Sequence, residues 1–295
     1  MPSIKQLRYV VAVAEHRHFG HAAAACFVTQ STLSAGIQDL EESLKTRVFE
    51  RTNKQVLVTE KGQDVVYHAK RVLQEIDDLV DSASSSSQPL TGKITLGVIP
   101  TIGPYLLPKI LVKLRKSFPE LKLYLLENLT AALLDDLATG RIDAALLALP
   151  YATGDFKVVT LFDDYFHLVC LPDHPLAAQE QLKVRYLAAQ PLLLLEEGHC
   201  LRQHALSVCQ FEGANYGIPY QGTSLFTLIQ MVAGGIGITL VPEMSIQSGL
   251  LAKTNLTSRP FSDKNIKRTI GMVWRPDCSK QNDLELLSRL IQKYH

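Results

Sequence analysis

A low-complexity run, Ser82-Ala83-Ser84-Ser85-Ser86-Ser87-Gln88-Pro89, followed by Leu90-Thr91-Gly92, divides this chain, because the hydrophobic period changes across it. Before the run, apolar residues recur only at helical spacing. After it, short apolar runs alternate with helical stretches. Small polar residues closing on Pro and Gly read as a hinge or linker. A length of 295 residues suits about two domains, each able to bury its own core.

A chain that is 46% hydrophobic with a net charge of +1 is not disordered in bulk. The densest apolar stretch, Ala144 to Pro150, falls far short of the roughly 18 residues that a membrane span needs. Val10 to Ala14 is too short for a secretion signal and leads into Glu15-His16-Arg17-His18, not a cleavage site. The five cysteines (Cys26, Cys170, Cys200, Cys209, Cys278) are odd in number and thinly spread. They do not make a disulfide framework, and the expected compartment is the reducing cytoplasm. With no Cys-x-x-Cys or His-x-x-x-His pair, no metal site and no cofactor is expected.

Beyond Gly92, strands are expected at Ile94–Ile99, Leu121–Leu126, Ile142–Leu149, Val158–Leu161, His167–Leu171, Leu192–Leu195, Ile238–Val241 and Thr269–Trp274. Helices fill gaps at 106–114, 133–137, 201–209 and 225–232 and at the C-terminus. Such alternation predicts a mainly parallel, doubly wound sheet, in one or two pieces, with ligands beyond strand C-termini. Just before the serine run, Val65, Ala69, Val72, Ile76, Leu79 and Ala83 recur at steps of four and three on a long helix starting near Glu60. That seam either lies on its own domain or pairs with a second copy. Beside a linker, with little intrachain core to cover, dimerisation is the favoured reading.

Residues 1–58 carry seven basic against five acidic side chains, a slight excess suited to a local nucleic-acid footprint. Leu7, Val10, Val11 and Ala14 make one helical face, and Phe19 with Ala22–Ala25 a second, compact helix. Thr29 is a good cap for a third, in which Leu33, Ile37, Leu40 and Leu44 share a face. The other side shows Gln30, Ser31, Thr32, Ser34 and Gln38, short or amide side chains able to bond base edges and phosphates. Val48-Phe49 and Val56-Leu57-Val58 suggest a hairpin wing carrying Arg47, Arg51 and Lys54 as phosphate contacts. Spacing alone also allows a small helical core with a merely solvated polar face.

The run Ala22-Ala23-Ala24-Ala25-Cys26-Phe27-Val28-Thr29-Gln30-Ser31-Thr32-Leu33-Ser34, continued by Ile37, Leu40-Glu41, Leu44, Val48-Phe49 and Arg51, resembles the winged helix-turn-helix of LysR-type transcriptional regulators. The resemblance implies an α+β chain in three parts. They are a DNA-binding module (1–58), a linker helix and hinge (59–92), and a periplasmic-binding-protein-like α/β effector domain of two subdomains (93–295). It also implies double-stranded promoter DNA, a tetramer and RNA polymerase as partners. The chain departs from the family in having Lys45 where Gly is usual, and Gln38 and Asp39 at positions that are often basic. Thr223-Ser224 and Gly234-Gly235-Ile236-Gly237 resemble the family's effector-pocket rim, although such glycines can equally make only a tight turn.

Glu196-Glu197-Gly198-His199-Cys200-Leu201-Arg202, with Cys209 nine residues after Cys200, is the most informative stretch. Gly198 ends an apolar strand, so Cys200 falls in a helix's first turn, where the helix dipole, Arg202 and His199 would favour thiolate. Nine helical residues rise about 13.5 Å, whereas bridged cysteines need Cα atoms within about 7 Å. Oxidation of a helical 200–209 segment to a disulfide would require refolding. Two ordinary half-buried cysteines remain the alternative on spacing alone.

Gly198-His199-Cys200-Leu201-Arg202 with that second cysteine, Ile99-Pro100-Thr101, Gly103-Pro104-Tyr105-Leu106-Leu107-Pro108 and Arg268-Thr269-Ile270-Gly271 are similar to the peroxide-sensing members of the family. By that resemblance Cys200 is peroxidatic and Cys209 resolving. Thr101, Thr130, His199, Arg202 and Arg268 then line the hydrogen peroxide pocket or support the thiolate. Gln203 stands where an acidic residue occurs, and Cys26, Cys170 and Cys278 receive no role. The rival readings are a LysR-type regulator of a small organic metabolite with incidental cysteines, a thiol peroxidase and a solute-binding protein. The helix-turn-helix speaks against the last two, and no enzymatic activity is expected.

Overall fold

The computed structural model describes residues 1–51, 55–84, 88–187, 190–209 and 221–295, with only the backbone at residues 51, 81–84, 208, 209 and 221. Two compact units form, one of residues 1–85 with 138–141 and one of residues 86–137 with 142–295.

The first unit begins with α1 (Ile4–His16), closed by a capping box between Ser3 and Gln6. His18 caps α2 (Phe19–Ala25), its Nδ1 accepting from the Gly20 and His21 amides. Thr29 caps α3 (Gln30–Leu44) by accepting from the Thr32 amide, as the sequence leads one to expect. Leu33, Ile37 and Leu40 of α3 are buried with Tyr9, Val10 and Val13 of α1 and Phe19 and Ala22 of α2. The helices touch closely at Gly36, where a Cβ would come within 2.8 Å of the Tyr9 ring. Glu41 joins α3 to the wing: its Oε1 accepts from the Val48 and Phe49 amides at 2.7 and 3.0 Å. Strands β1 (Phe49–Arg51) and β2 (Val56–Val58) pair antiparallel, and α4 (Glu60–Ser84) follows.

The second unit alternates: β3 (Gly92–Val98), α5 (Gly103–Ser117), β4 (Leu121–Glu127), α6 (Thr130–Ala138), β5 (Ala144–Leu149) and β6 (Lys157–Cys170). Then come β7 (Leu192–Leu195), α7 (Cys200–Cys209), β8 (Gln221–Gly222), α8 (Leu225–Ala233), β9 (Ile238–Pro242) and α9 (Glu243–Gln247). Strands β10 (Thr257–Pro260) and β11 (Lys267–Trp274) precede the last helix, α10 (Gln281–Tyr294). Among the described residues the sheet runs β4-β3-β5-β11-β6-β9-β7-β8, with β10 also on β6.

That order corrects the expectation of a mainly parallel sheet. The pairs of β3 with β4 and β5, and of β7 with β8 and β9, are parallel. Strand β11 instead returns antiparallel between β5 and β6, and β6 is antiparallel to β9 and β10. A second correction concerns β6, expected as two strands and found as one of 14 residues. Asp163-Asp164, between the two expected strands, stay in the ladder, where each carboxylate finds a cation on β11: Lys267 for Asp163 and Arg268 for Asp164.

Two hydrophobic cores flank the shared strand. One gathers Leu96, Val98, Ile110, Leu133, Leu146 and Trp274, and the other Leu168, Leu193, Leu228, Ile229, Leu240 and Val241. Strand β5 is buried on both faces from Ala144 to Ala148, which explains its unbroken apolar run. No helix among the described residues is long and apolar enough to cross a membrane.

Candidate functional site

Strand β7 is four leucines, all buried, and the chain leaves it through Gly198 at φ +95°, a backbone conformation that disfavours a side chain. The turn delivers Cys200 to the first position of α7. Cys200 is 4% exposed and belongs to the first core, whereas Leu201 and Ala205 belong to the second, so α7 is wedged between the two.

Two expected residues, Arg268 and Thr130, act on the Cys200 thiol, and a third, Thr101, holds Arg268. Arg268, 1% exposed, donates through Nη1 to the Thr101 hydroxyl at 2.8 Å and through Nη2 to the Thr101 carbonyl at 2.9 Å. Its Nε and Nη2 both lie 3.0 Å from Asp164 Oδ2, while Asp164 Oδ1 accepts from the Met244 amide at 3.0 Å. Thr130 is buried at the start of α6, its hydroxyl has no hydrogen-bond partner among the described residues, and it acts on the Cys200 thiol as a donor.

Two influences oppose each other at this sulfur. Burial pushes the Cys200 thiol above its ordinary value, against Arg268, then the Thr130 hydroxyl, then the amides of Leu201 and Cys200. Helix position and cation act in the expected direction, and desolvation outweighs them. Arg202 donates through Nη1 to the Leu195 carbonyl at 3.1 Å and ties α7 to β7. His199 is buried next to Cys200, with Nε2 3.9 Å from Glu196 Oε1, and burial drives its pKa down with Glu196 opposing. Gln203 is exposed and lines an open groove with Leu134, Asp135 and Tyr151.

Cys26, Cys170 and Cys200 are free thiols. Cys209 ends α7; its side chain lies outside the described residues. Because the whole segment is helical, the two Cα atoms are about 13.5 Å apart along the axis, beyond disulfide reach.

On the first unit, Thr29, Gln30, Ser31, Thr32 and Gln38 are exposed along α3, Ser34 is half-buried, and Arg47 is exposed at the wing. Gln38 donates to Glu42 Oε1 at 3.3 Å. The Arg51 side chain and Lys54 lie outside the described residues.

Matches to known families follow the same division. Residues 4–63 match the bacterial regulatory helix-turn-helix protein of the lysR family, and residues 87–294 match the LysR substrate binding domain. The chain belongs to the LysR family. This LysR-family protein is 40% identical over 292 residues to a hydrogen peroxide-inducible genes activator of Pectobacterium carotovorum, covering 99% of this chain and 96% of that one. It is 40% identical to the DNA-binding transcriptional dual regulator OxyR of Escherichia coli K12, covering 98% and 95%. Among solved structures, a full-length OxyR variant from Pseudomonas aeruginosa superposes with a TM-score of 0.80 at 34% identity, covering 100% of this chain and 99% of that one. A hydrogen peroxide-bound variant of Corynebacterium glutamicum OxyR gives a TM-score of 0.69 at 33% identity, covering 100% and 92%.

The seam of this LysR-family chain splits in two. Val65 and Ala69 pack into the module's own core, Ile76 is half-buried, Val72 and Leu79 are 45% and 68% exposed, and the Ala83 side chain lies outside the described residues. At the other candidate rim, Ser224 caps α8 through the Thr227 amide, and Gly234 and Gly235 make the turn toward β9. Sequence reasoning missed Asp164, which holds Arg268. Its one signal is register, since Asp164 and Arg268 are partners across the β6–β11 ladder.

Proposed function

We propose that this chain is a DNA-binding transcriptional regulator, not an enzyme, that senses hydrogen peroxide through Cys200 and Cys209. The observation that carries the reading is a buried Cys200, beside Arg268 and Thr130, sharing one helix with a cysteine it cannot reach while that helix stands. The Cys200 sulfur attacks one peroxide oxygen and the O–O bond breaks. The thiol's proton leaves with the departing oxygen as water, and Cys200 becomes a sulfenic acid. Unwinding of α7 then lets the Cys209 sulfur attack that of Cys200. The S–O bond breaks, a second water leaves, and a disulfide forms.

Arg268 and Thr130 stabilise the charge that gathers on sulfur during attack, more strongly in a dry site than in water. Thr101 and Asp164 hold Arg268 in place. His199 and Arg202 act on the turn and the helix rather than on sulfur. The polar face of α3, from Thr29 to Gln38, enters the major groove of promoter DNA, with Arg47, Arg51 and Lys54 on phosphates. The domains are 1–58, 59–92 and 93–295. The exposed half of the α4 seam (Val72, Leu79) pairs with a second copy, two dimers make a tetramer, RNA polymerase is a further partner, and the compartment is the cytoplasm. No metal or cofactor enters the scheme.

The test measures binding to operator DNA with and without one equivalent of peroxide. Cys200→Ser is expected to fold, bind DNA and ignore peroxide. Cys209→Ser is expected to yield a sulfenic acid trappable with a cyclic diketone, but no disulfide. An undiminished response in Cys200→Ser would leave a LysR-family regulator with an organic effector and incidental cysteines.

A further inference from the structure

A buried histidine on the redox helix has no part in the scheme above. His204 lies one turn past Cys200 on the same helical face and is 8% exposed. Its Nε2 is 3.2 Å from the Pro150 carbonyl, 54 residues away, just beyond the end of β5. A carbonyl can only accept, so the ring proton sits on Nε2 and Nδ1 is left as a bare acceptor. That Nδ1 is buried and has no partner among the described residues. An unpaired buried acceptor is costly, and an apolar side chain there would avoid it. What the imidazole supplies in return is the bond to Pro150.

The location of that bond gives it meaning. Helix α7 is wedged between two cores, and its side chains tie it to each. Arg202 bonds the Leu195 carbonyl at the end of β7, on the second core, and His204 bonds Pro150 beyond β5, on the first. Unwinding α7 must break both. The Arg202 bond lies in the first turn, beside the strand that feeds the helix. The His204 bond grips the middle, the portion that has to open before Cys209 can approach.

We propose that His204 is a positioning residue, a latch from the middle of α7 to the Pro150 carbonyl that holds the reduced helix closed and so sets the rate of the disulfide step and the potential of the couple. The proposal rests on the Cys200–Cys209 reading above. Nε2 carries the bonding proton in the neutral ring and in the charged one alike. Burial drives its pKa down, nearby Arg268 acts in the same direction, and the Pro150 carbonyl opposes them. Hydrogen peroxide remains the oxidant, and the atoms of both steps are unchanged; only the opening between them is governed by the latch.

The experiment uses the full-length chain and two substitutions. His204→Met fills the space without a donor. His204→Gln can present an amide N–H to the same carbonyl. Three quantities are read: sulfenic acid formation in a Cys209→Ser background, the rate of disulfide formation after one equivalent of peroxide, and hydrogen exchange of the α7 amides by mass spectrometry. Loss of one buried hydrogen bond of ordinary strength corresponds to roughly a tenfold change in an opening equilibrium.

His204→Met is expected to speed disulfide formation and α7 exchange by about that factor, with sulfenic acid formation unchanged. The midpoint potential should fall by about 30 mV, the equivalent of tenfold in a two-electron couple. His204→Gln is expected to restore the parent values. Should His204→Met not fold, His204→Asn, too short to reach Pro150, takes its place. Unchanged disulfide and exchange rates in the donor-free variant, or a Gln variant that behaves like it, overturn the latch. If the parent chain forms no disulfide, the peroxide-sensing reading fails instead, and exchange alone judges the latch.

Discussion

Lys45 shows how much one backbone angle decides. It ends α3 with φ +50°, the left-handed conformation, at the place where LysR-type helices usually carry Gly. A side chain held there costs about 1–2 kcal/mol, partly offset because Gly loses more freedom on folding. Lys45→Gly is therefore expected to stabilise the chain by roughly 0.5–1 kcal/mol, read as a higher urea midpoint with an unchanged slope. A lower midpoint would mean that the lysine side chain makes a contact worth more than the strain. The unusual residue was legible in the sequence, as was the Thr29 cap, because both depend on neighbours within four positions. Cys200 was legible in place but not in burial: its helix position can be read locally, whereas the core that covers it is built from residues far away in the sequence.

Elements formed where the periodicity put them when one face or both faces met a core, as in α3, β5 and β7. Strand β6 was expected as two pieces, and β11 holds its middle in the ladder by bringing Lys267 and Arg268 to Asp163 and Asp164. The α4 seam was half legible: spacing named its residues but could not say that Val65 and Ala69 are used within the chain. The adjacent carboxylates of β6 also differ in energetic weight. Asp164 is buried against Arg268, so Asp164→Asn leaves an uncompensated charge and is expected to cost about 3–5 kcal/mol of stability in the reduced chain. Asp163, far more exposed and bonded to Lys267 and Thr269, is the control. Asp163→Asn should cost about 1 kcal/mol or less. Equal costs in urea titrations would contradict the assignment of Asp164 as the support of Arg268.

The whole second unit responds to acid through histidines. His167, His199 and His204 all have pKa values lowered chiefly by burial, opposed by Glu243 and Asp164, by Glu196, and by the Pro150 carbonyl respectively, with Arg268 adding to the lowering at His204. The unfolded chain takes up these protons first, near the ordinary value of 6.5, while the folded chain resists. Stability is thus full above about pH 7 and falls as pH drops through 6.5 toward the lowered folded values. Asp163 and Glu285, held low by hydrogen bonds from Lys267 and Lys157, add their loss only in more acid solution. A series of urea midpoints should be flat from about pH 8 to 7 and decline by about pH 5.5. A flat series to that point would show that the three rings take up protons as freely in the folded chain as in the unfolded one.

Cys200, with 4% of its surface open, also fixes which molecules the resting protein can meet. A molecule reaches that sulfur only where neighbouring side chains give way, and the displacement required grows with the molecule's bulk. Bulk therefore slows approach before any bond is broken.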